Sequence, residues 1–338
     1  MAAYLVRRLL LAAGLLLVVS YLTFVGVATQ FSATCSSRYT PNTPYPPLAG
    51  SVHQASVLYW EWLKGVPSGR SFGNVCGAPI TQDLGQALTH TGALLAMTLV
   101  MVLVLSLLFG VLAAARAGSG LDLAFRGFSY AAWAVPPFLL ALVAQSVLIW
   151  LRSHAGFHVF PASGWPGSCG SSFFTCSVPQ PLTFHYAGEV IRFLVVPSLA
   201  LAVAFVGLHS RYLRSALLVA LAAPYTTTAR AKGLSERRVV LRHALRNSLG
   251  TFTSVLLLDF GAVLGAALAV DFVFRMEGVG LLFLGEIGAT GSQSGDGPKF
   301  LDPYAVQALL TVIAVMVAAS SLLAELAVLW LDPRARPA

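Results

Sequence analysis

Six long apolar stretches constrain the fold of this 338-residue chain more than any other feature of its sequence. Each is close to the roughly 20 residues that a helix needs to cross the hydrocarbon core of a bilayer. The stretches fall at about 5–28, 90–115, 127–151, 190–210, 248–273 and 304–331. Because 57% of the residues are hydrophobic and only 10% are charged, a soluble globular domain is excluded. The sequence predicts an all-α membrane protein with one transmembrane domain, 1–338, of six helices, the first of them retained rather than cleaved as a signal.

The distribution of lysine and arginine predicts the orientation of these helices. With the N-terminus inside, the inner segments hold 14 of the 21 basic residues, although the outer segments are longer. Positively charged residues next to a membrane span are retained in the cytoplasm. We therefore expect both termini to be cytoplasmic and 29–89 and 152–189 to be extracytoplasmic loops. The net charge of +8 follows from this topology. Since the charge is divided among short loops, we expect no nucleic-acid partner.

All four cysteines fall in the two predicted outer loops: Cys35, Cys76, Cys169 and Cys176. An oxidising exterior permits disulfides, and four cysteines allow three pairings. Cys35–Cys76 with Cys169–Cys176 is the simplest pairing, and four free thiols are the alternative. We expect no metal site, because Cys169 and Cys176 are too far apart in sequence for a zinc pair and no histidine motif adjoins them.

Two further segments of the predicted outer side have helical character. The stretch 52–66 places Leu58, Tyr59 and Trp62 on one face, which predicts an amphipathic helix lying in the outer interface or packing on the chain's own spans. The stretch 274–287 has glycines at 278 and 280, and the residues that follow them are mostly apolar. It predicts a short re-entrant or interfacial helix instead of another crossing.

The segment 223–247, between the predicted fourth and fifth spans, is strongly basic. Glu236 is its only acidic residue, whereas six of its residues are lysine or arginine. Pro224 is predicted to start one short helix, Ser235 to cap a second, and Gly233 to form the joint between them. The pattern predicts a helical hairpin that docks into a cleft on a partner protein. The alternative is a basic inner loop that only sets topology.

At these residues the chain resembles the membrane-spanning permease subunits of binding-protein-dependent ABC importers, specifically the dipeptide, oligopeptide and nickel branch. The resemblance is carried by TARAKGLS at 228–235 and HALRN at 243–247, with YLVRRL at 4–9 and LDPR at 331–334. The general family has Glu-Ala-Ala before the glycine and a downstream Ile-x-Leu-Pro. This chain lacks that glutamate and that proline, which is typical of the peptide and nickel branch.

The resemblance implies a type I importer fold in a bacterial cytoplasmic (inner) membrane, among lipid. It also implies a second homologous permease subunit, two ABC ATPase subunits and an extracytoplasmic solute-binding protein. ATP and Mg would be bound by the ATPase subunits, and this chain would be a transport subunit that holds no cofactor and is not an enzyme. Because the sequence has no phosphate-binding loop, we do not expect the chain to hydrolyse ATP itself. The implied ATPase-coupling residues are Thr227, Thr228, Ala229, Arg230, Ala231, Lys232, Gly233, Leu234, Ser235, Glu236, Arg237 and His243.

The cargo implied by the resemblance is a dipeptide or oligopeptide. A nickel or glutathione permease of the same branch is the alternative, and a self-sufficient secondary transporter is an alternative of another class. Two places depart from the branch pattern, since 34–37 reads TCSS where Pro-Gly-Asp-Pro is usual and the loop 152–189 is enlarged. Both are predicted to face the binding protein.

Two acidic residues of the predicted fifth span are candidates for the translocation path. A charged side chain at mid-bilayer costs on the order of 2.5–3.5 kcal/mol on insertion scales, so it rarely faces lipid. Asp259 lies near the middle of the span and is expected to meet a substrate amine or to bond to the partner permease. Asp271 lies nearer the outer end, where an interfacial anchor or a subunit contact is the alternative.

Overall fold

A computed structural model describes residues 2–30, 50–66, 74–75, 78–166, 184–286 and 303–331. All four cysteines, and with them the predicted disulfides, lie outside the described residues. In chain order the elements are α1 (Ala2–Gln30), α2 (Val52–Gly65), β1 (Asn74–Val75), β2 (Ala78–Pro79), α3 (Thr81–Ala115), α4 (Gly120–Ala134), α5 (Pro137–Ala155), α6 (Phe184–Leu221), α7 (Pro224–Ala231), α8 (Glu236–Arg238), a π-helical turn (Val239–Ala244), α9 (Leu245–Leu258), α10 (Phe260–Phe274), α11 (Val279–Glu286) and α12 (Pro303–Leu331). The strands β1 and β2 pair antiparallel.

Five of the described helices are long and apolar enough to cross a membrane. Their apolar parts are Leu10–Thr29, Leu84–Ala115, Pro137–Ala155, Tyr186–Leu221 and Tyr304–Leu326. A sixth crossing is available if Glu236–Leu258 and Phe260–Phe274, which meet at a bend of 47°, form one broken span. The predicted all-α membrane fold is confirmed. The side of the membrane on which the termini lie stays a prediction.

The helix expected over 127–151 is divided in two by a pair of prolines. Helix α4 ends at Ala134, and Val135 and Pro136 have extended ψ values of 123° and 135°. Proline lacks an amide hydrogen and disfavours helical geometry in the residue before it, so the chain leaves the helix here and restarts at Pro137. Of the two helices, α5 alone is apolar and long enough to be a candidate span.

Helix α6 has 38 residues and is about 57 Å long at 1.5 Å per residue, so it extends well beyond the expected 190–210. Arg211 and Arg214 lie just after the expected apolar stretch, yet both lie inside the helix. Each has a partner on α4. Arg214 Nε and Nη2 donate to the Asp122 carboxylate at 2.6 and 2.7 Å, and the Arg211 guanidinium lies 4.4 Å from the centre of the Tyr130 ring. These contacts satisfy the charges and let the helix continue.

The chain divides into two compact units, of which the first comprises Met1–Thr91 and Glu277–Ala319. Its core joins α1 to α2 through the buried side chains of Phe24, Tyr59 and Trp62. Tyr59 Oη donates to Ser20 Oγ at 3.1 Å. The predicted amphipathic helix thus packs on the chain's own first helix, while Trp60 on its other side is exposed.

The short helix expected within 274–287 is α11, and it also belongs to the first unit. Val279, Leu281 and Leu282 are buried. The amide of Val279 donates to Thr91 Oγ1 of α3 at 2.9 Å, which satisfies a donor at the start of the helix. A buried helix of eight residues is too short to cross a bilayer, in agreement with the prediction.

The second unit, Gly92–Met276 with Ser320–Ala338, is organised around α6. Helices α4, α5, α9 and α10 pack on it. The crossing with α4 is close, because a Cβ added at Gly207 would lie 2.7 Å from the backbone oxygen of Ser129. Small residues allow such close approach of helix backbones within membranes. Ser129 Oγ and Ser210 Oγ lie 3.3 Å apart in the same contact.

The described part of the second predicted outer loop, 156–166, is attached to the end of α10. Gln145 Nε2 on α5 donates to the carbonyl oxygens of Ala162 at 3.1 Å and Val273 at 2.7 Å. The amide of Gly164 donates to the carbonyl of Phe274 at 3.0 Å. These hydrogen bonds attach the described part of the loop to α5 and α10.

Candidate functional site

The candidate coupling segment, residues 223–247, begins where α6 ends. Pro224 occupies the first position of α7, as predicted, where its missing amide hydrogen costs nothing. The buried hydroxyl of Thr226 lies 2.8 Å from the carbonyl oxygen of Leu221 and 2.7 Å from that of Ala223. These bonds join the start of α7 to the end of α6.

The turn at the end of α7 is a Schellman motif, and Gly233 is its left-handed residue. The amide of Leu234 donates to the carbonyl of Ala229 at 3.3 Å, and that of Gly233 to the carbonyl of Arg230 at 2.9 Å. Gly233 has φ of +76°, which glycine adopts without steric cost. A Cβ added there would meet nothing within 4 Å. Glycine therefore suits the joint because of its backbone conformation and not because space is short.

An ion pair closes the hairpin across this turn. Arg230 Nε and Nη2 donate to the two carboxylate oxygens of Glu236 at 3.0 and 2.8 Å. This bidentate geometry is the strong form of an arginine–carboxylate pair. The Glu236 carboxylate raises the pKa of Arg230 by accepting its hydrogen bonds. The single acid of the segment is thus neutralised within the hairpin.

The second arm of the hairpin continues into the membrane-spanning part of the chain. Ser235 stands at the predicted N-cap position with extended backbone, but its side chain makes no capping bond. A π-helical turn follows α8, and it buries Val239, Val240 and Ala244. Asn247 Nδ2 on α9 donates to Tyr225 Oη on α7 at 3.3 Å, a second tie between the two arms.

The segment presents mostly polar and charged side chains to solvent. Of the predicted coupling residues, Ala229 is buried and Leu234 and His243 are half-buried. The others are exposed: Thr227, Thr228, Arg230, Ala231, Lys232, Gly233, Ser235, Glu236 and Arg237. Among the apolar side chains at the turn, Ala231 and part of Leu234 are therefore accessible, and Ala229 is not. The exposed basic side chains of Arg238, Arg242 and Arg246 extend the positive surface.

The first path candidate, Asp259, lies at the break between α9 and α10, where the helices bend by 47°. Its side chain is one third exposed. Its Oδ2 lies 3.4 Å from Nε2 of His209 on α6, whose side chain is completely buried. Hydropathy does not single out His209, because one histidine in a long apolar helix carries no periodic signal. The structure singles out His209 through its contact with Asp259, which is 50 residues away in sequence.

The second path candidate, Asp271, is in a different environment. It lies on α10 and its side chain is fully buried within the second unit. Asp259 alone of the two predicted candidates therefore presents a partly accessible carboxylate.

A charged site that the sequence prediction missed is Asp122 with Arg214. Asp122 also receives the amide of Gly118 at 3.0 Å, while its own amide donates to Ser119 Oγ at 3.3 Å. The hydrogen bonds from Arg214 lower the pKa of Asp122 below its ordinary value. The Ser-x-x-Asp spacing at 119–122 is a helix-start pattern that would have located the α4 terminus.

Comparison with known proteins places the chain in a class of transporter components. A family model described as "Binding-protein-dependent transport system inner membrane component" matches residues 106–337. The chain belongs to this family and is a multi-pass inner membrane protein.

Three relatives are similar over almost the whole chain. The oligopeptide transport system permease protein AppB of Bacillus subtilis is 28% identical over 343 residues, covering 99% of both chains. The oligopeptide transport system permease protein OppB of Mycobacterium bovis is 26% identical over 345 residues, again covering 99% of both. The metal-staphylopine import system permease protein CntB of Staphylococcus aureus is 24% identical over 349 residues, also covering 99% of both.

Proposed function

We propose that this chain is the permease subunit of an ATP-driven importer of dipeptides or oligopeptides and forms half of its translocation path. The observation that carries the proposal is similarity over the full length to permeases named for oligopeptide transport. In this assembly the chain works with a second homologous permease subunit, two ABC ATPase subunits and an extracytoplasmic solute-binding protein. ATP and Mg are bound by the ATPase subunits, and this chain holds no cofactor and is not an enzyme.

The hairpin formed by α7 and α8 is the proposed contact with an ATPase subunit. Its arms are braced by Arg230–Glu236 and by Tyr225–Asn247, so an applied force moves them together. With Glu236 neutralised internally, the exposed basic side chains give the hairpin a positive surface that suits an acidic cleft. The cytoplasmic position of this hairpin and of both termini follows from the positive-inside distribution.

One path from the hairpin to the membrane runs through its second arm. The π-helical turn and α9 lead from α8 to the bend at Asp259 without another loop. A movement of the hairpin driven by closure of the ATPases would therefore reach the broken span directly. Such rigid-body rocking is a common way to alternate access between the two sides of a membrane.

The partly exposed carboxylate of Asp259 is the proposed contact for a cationic group of the cargo. A bend that interrupts a membrane helix is a frequent position for substrate contacts in transporters. The competing role is a hydrogen bond to the second permease subunit. A metal chelate stays the alternative cargo class, because the S. aureus relative is named for metal-staphylopine import.

The test is purification of the tagged chain from its own host in mild detergent, followed by mass spectrometry of the bound proteins. Wild type is compared with Arg237→Glu, which reverses an exposed charge in the hairpin. Arg116→Glu reverses another exposed charge outside the segment and is the matched control.

We expect wild type and Arg116→Glu to recover two ATPases, a second permease and a binding protein. Arg237→Glu should retain the second permease and lose ATPase. Peptides extracted from the binding protein would identify the cargo, and a metal chelate there would establish the alternative. Recovery of the chain alone in all three samples would overturn the proposal in favour of a self-sufficient transporter.

A further inference from the structure

His209 has a defined proton on one ring nitrogen. Its Nδ1 lies 2.8 Å from the backbone carbonyl oxygen of Phe205, one turn earlier in α6. A carbonyl oxygen only accepts hydrogen bonds, so Nδ1 must be the donor and must carry a hydrogen. The remaining nitrogen, Nε2, is therefore either a second N–H donor in the imidazolium or a bare lone pair in the neutral ring.

The free energies of these two protonation states differ strongly because of the atom that faces Nε2. Nε2 is buried, has no hydrogen-bond partner among the described residues, and lies 3.4 Å from Asp259 Oδ2. If neither group holds a further proton, the lone pair of Nε2 faces a carboxylate oxygen, and no described residue donates a hydrogen bond to Nε2. With one additional proton, the contact becomes an imidazolium–carboxylate pair or a carboxylic acid that donates to the ring. Both protonated arrangements are attractive, and burial makes the unprotonated one costly.

The two arginines that follow His209 on α6 are engaged elsewhere. Arg214 bonds to Asp122 of α4 and Arg211 lies on the ring of Tyr130, also of α4. The sides of His209 that face α6 itself and α9 are covered by the rings of Phe205 and Phe252, at 6.5 and 6.3 Å between ring centres. Within the described chain, Asp259 is the one ionisable partner that the structure places within ion-pair distance of His209.

We propose that His209 and Asp259 together bind one proton and form a proton site at the bend between α9 and α10. While the proton is held, the pair is neutral and α6 is attached to the bend. When the proton leaves, the bend carries a partly exposed anion that can take a cation instead. The proton site consists of the chain's own side chains and requires neither the cargo nor the ATPase partners.

The test is a double-mutant cycle on thermal unfolding of the full chain in mild detergent, measured from pH 5.5 to 8.5. The variants are Asp259→Asn, His209→Gln and the two combined. The amide of Asp259→Asn can donate to the neutral ring, so this variant needs no shared proton. We expect the coupling between the two positions to stabilise wild type at the acidic end by about 3 °C in melting temperature and to decline as the pH rises.

Asp122→Asn serves as the matched control, since it removes another carboxylate that bonds to α6. Its partner Arg214 stays charged at every pH used, so the decrease in melting temperature of this variant should be the same from pH 5.5 to 8.5. A coupling between His209 and Asp259 that is absent, or that is equal at all pH values, would overturn the proton site. A pH dependence of the Asp259→Asn effect that survives unchanged in the His209→Gln background would do the same.

Discussion

Arg230 and Glu236 are joined by two hydrogen bonds across the glycine turn of the hairpin, at 3.0 and 2.8 Å. Both side chains are largely exposed, with 41% and 61% of their surfaces accessible. Exposed ion pairs contribute little to stability in general. The pair therefore holds the geometry of the hairpin more than it stabilises the fold.

We predict that Glu236→Gln leaves the melting temperature of the chain unchanged but reduces the ATP hydrolysis that cargo stimulates in the reconstituted importer. The reason is that the two arms lose their brace while the buried residues behind them are untouched. Exchanging the two charges, Arg230→Glu with Glu236→Arg, should restore part of the stimulation. A clear loss of melting temperature in Glu236→Gln would show that the pair has a structural role instead.

The turn at Gly233 leads to a second prediction, which separates conformation from volume. Asparagine tolerates the left-handed region and should preserve transport at this position. Valine or proline should leave membrane insertion intact but uncouple transport from ATP hydrolysis, with a local cost of about 1–2 kcal/mol for valine. Proline also removes the amide that bonds to Arg230. Uptake and ATP hydrolysis measured on the same proteoliposomes would show whether transport and hydrolysis are still coupled. Normal uptake by the proline variant would contradict the prediction.

The close crossing of α4 and α6 leads to a third prediction. Gly207→Ala should lower stability by about 1–3 kcal/mol, because the new methyl group meets the backbone of Ser129 and not a flexible side chain. Gly265→Ala on α10 is the matched control, since a Cβ there meets nothing within 4 Å. Thermal unfolding in detergent measures both. Equal melting temperatures for the two variants would mean that α4 moves away from α6 at no cost.

The ion pair between Asp122 and Arg214 leads to a fourth prediction. Asp122 is almost completely buried, so Asp122→Asn should cost about 3 kcal/mol by leaving Arg214 without its carboxylate. The pKa of Asp122 is lowered in the folded chain, so the stabilisation is present above the ordinary value of 3.8 and is lost as the pH falls through the lower folded value.

The difference in melting temperature between wild type and Asp122→Asn should therefore be constant from pH 5 to 8. Arg214→Lys keeps the charge but not the bidentate geometry, so it should fall between the two. A difference that shrinks within this pH range would contradict the assignment.

The cysteines lead to a fifth prediction, which rests on sequence alone. At least one disulfide should form among Cys35, Cys76, Cys169 and Cys176. Under denaturing conditions a maleimide should label the wild-type chain fully only after a reductant is added. Immediate labelling of all four thiols would show that they are free.

Hydropathy was sufficient to locate the membrane helices. It did not predict where they end, because their ends depend on contacts between residues that are distant in sequence. The division at Val135 and Pro136 was readable from the two consecutive prolines. The length of α6 was not predictable from the sequence. Two arginines normally indicate the end of a span, and only their partners on α4 explain why the helix continues through Arg211 and Arg214. Sequence distance, and not residue chemistry, concealed these contacts.

The candidate sites show the same division. The local features of the hairpin, Pro224 and Gly233, were predictable from capping rules that act within a few residues. The neutralisation of Glu236 by Arg230 was not singled out, since six basic residues surround that one acid. The contact of His209 with Asp259 was beyond prediction, because it depends on how α6 crosses the broken span.

The π-helical turn at Val239–Ala244 has a consequence at the level of the gene. Such a turn holds one residue more than an α-helical turn. Deleting a single codon there would convert it to an α-helical turn and leave the orientation of the hairpin relative to α9 nearly unchanged, because the wider turn already absorbs the extra residue. Inserting one residue into the regular helix α9 would instead rotate the hairpin by about 100° relative to the rest of α9. The positive surface would then face a different direction although every side chain was retained. A one-residue deletion in the π-helical turn should therefore be tolerated better than a one-residue insertion in α9.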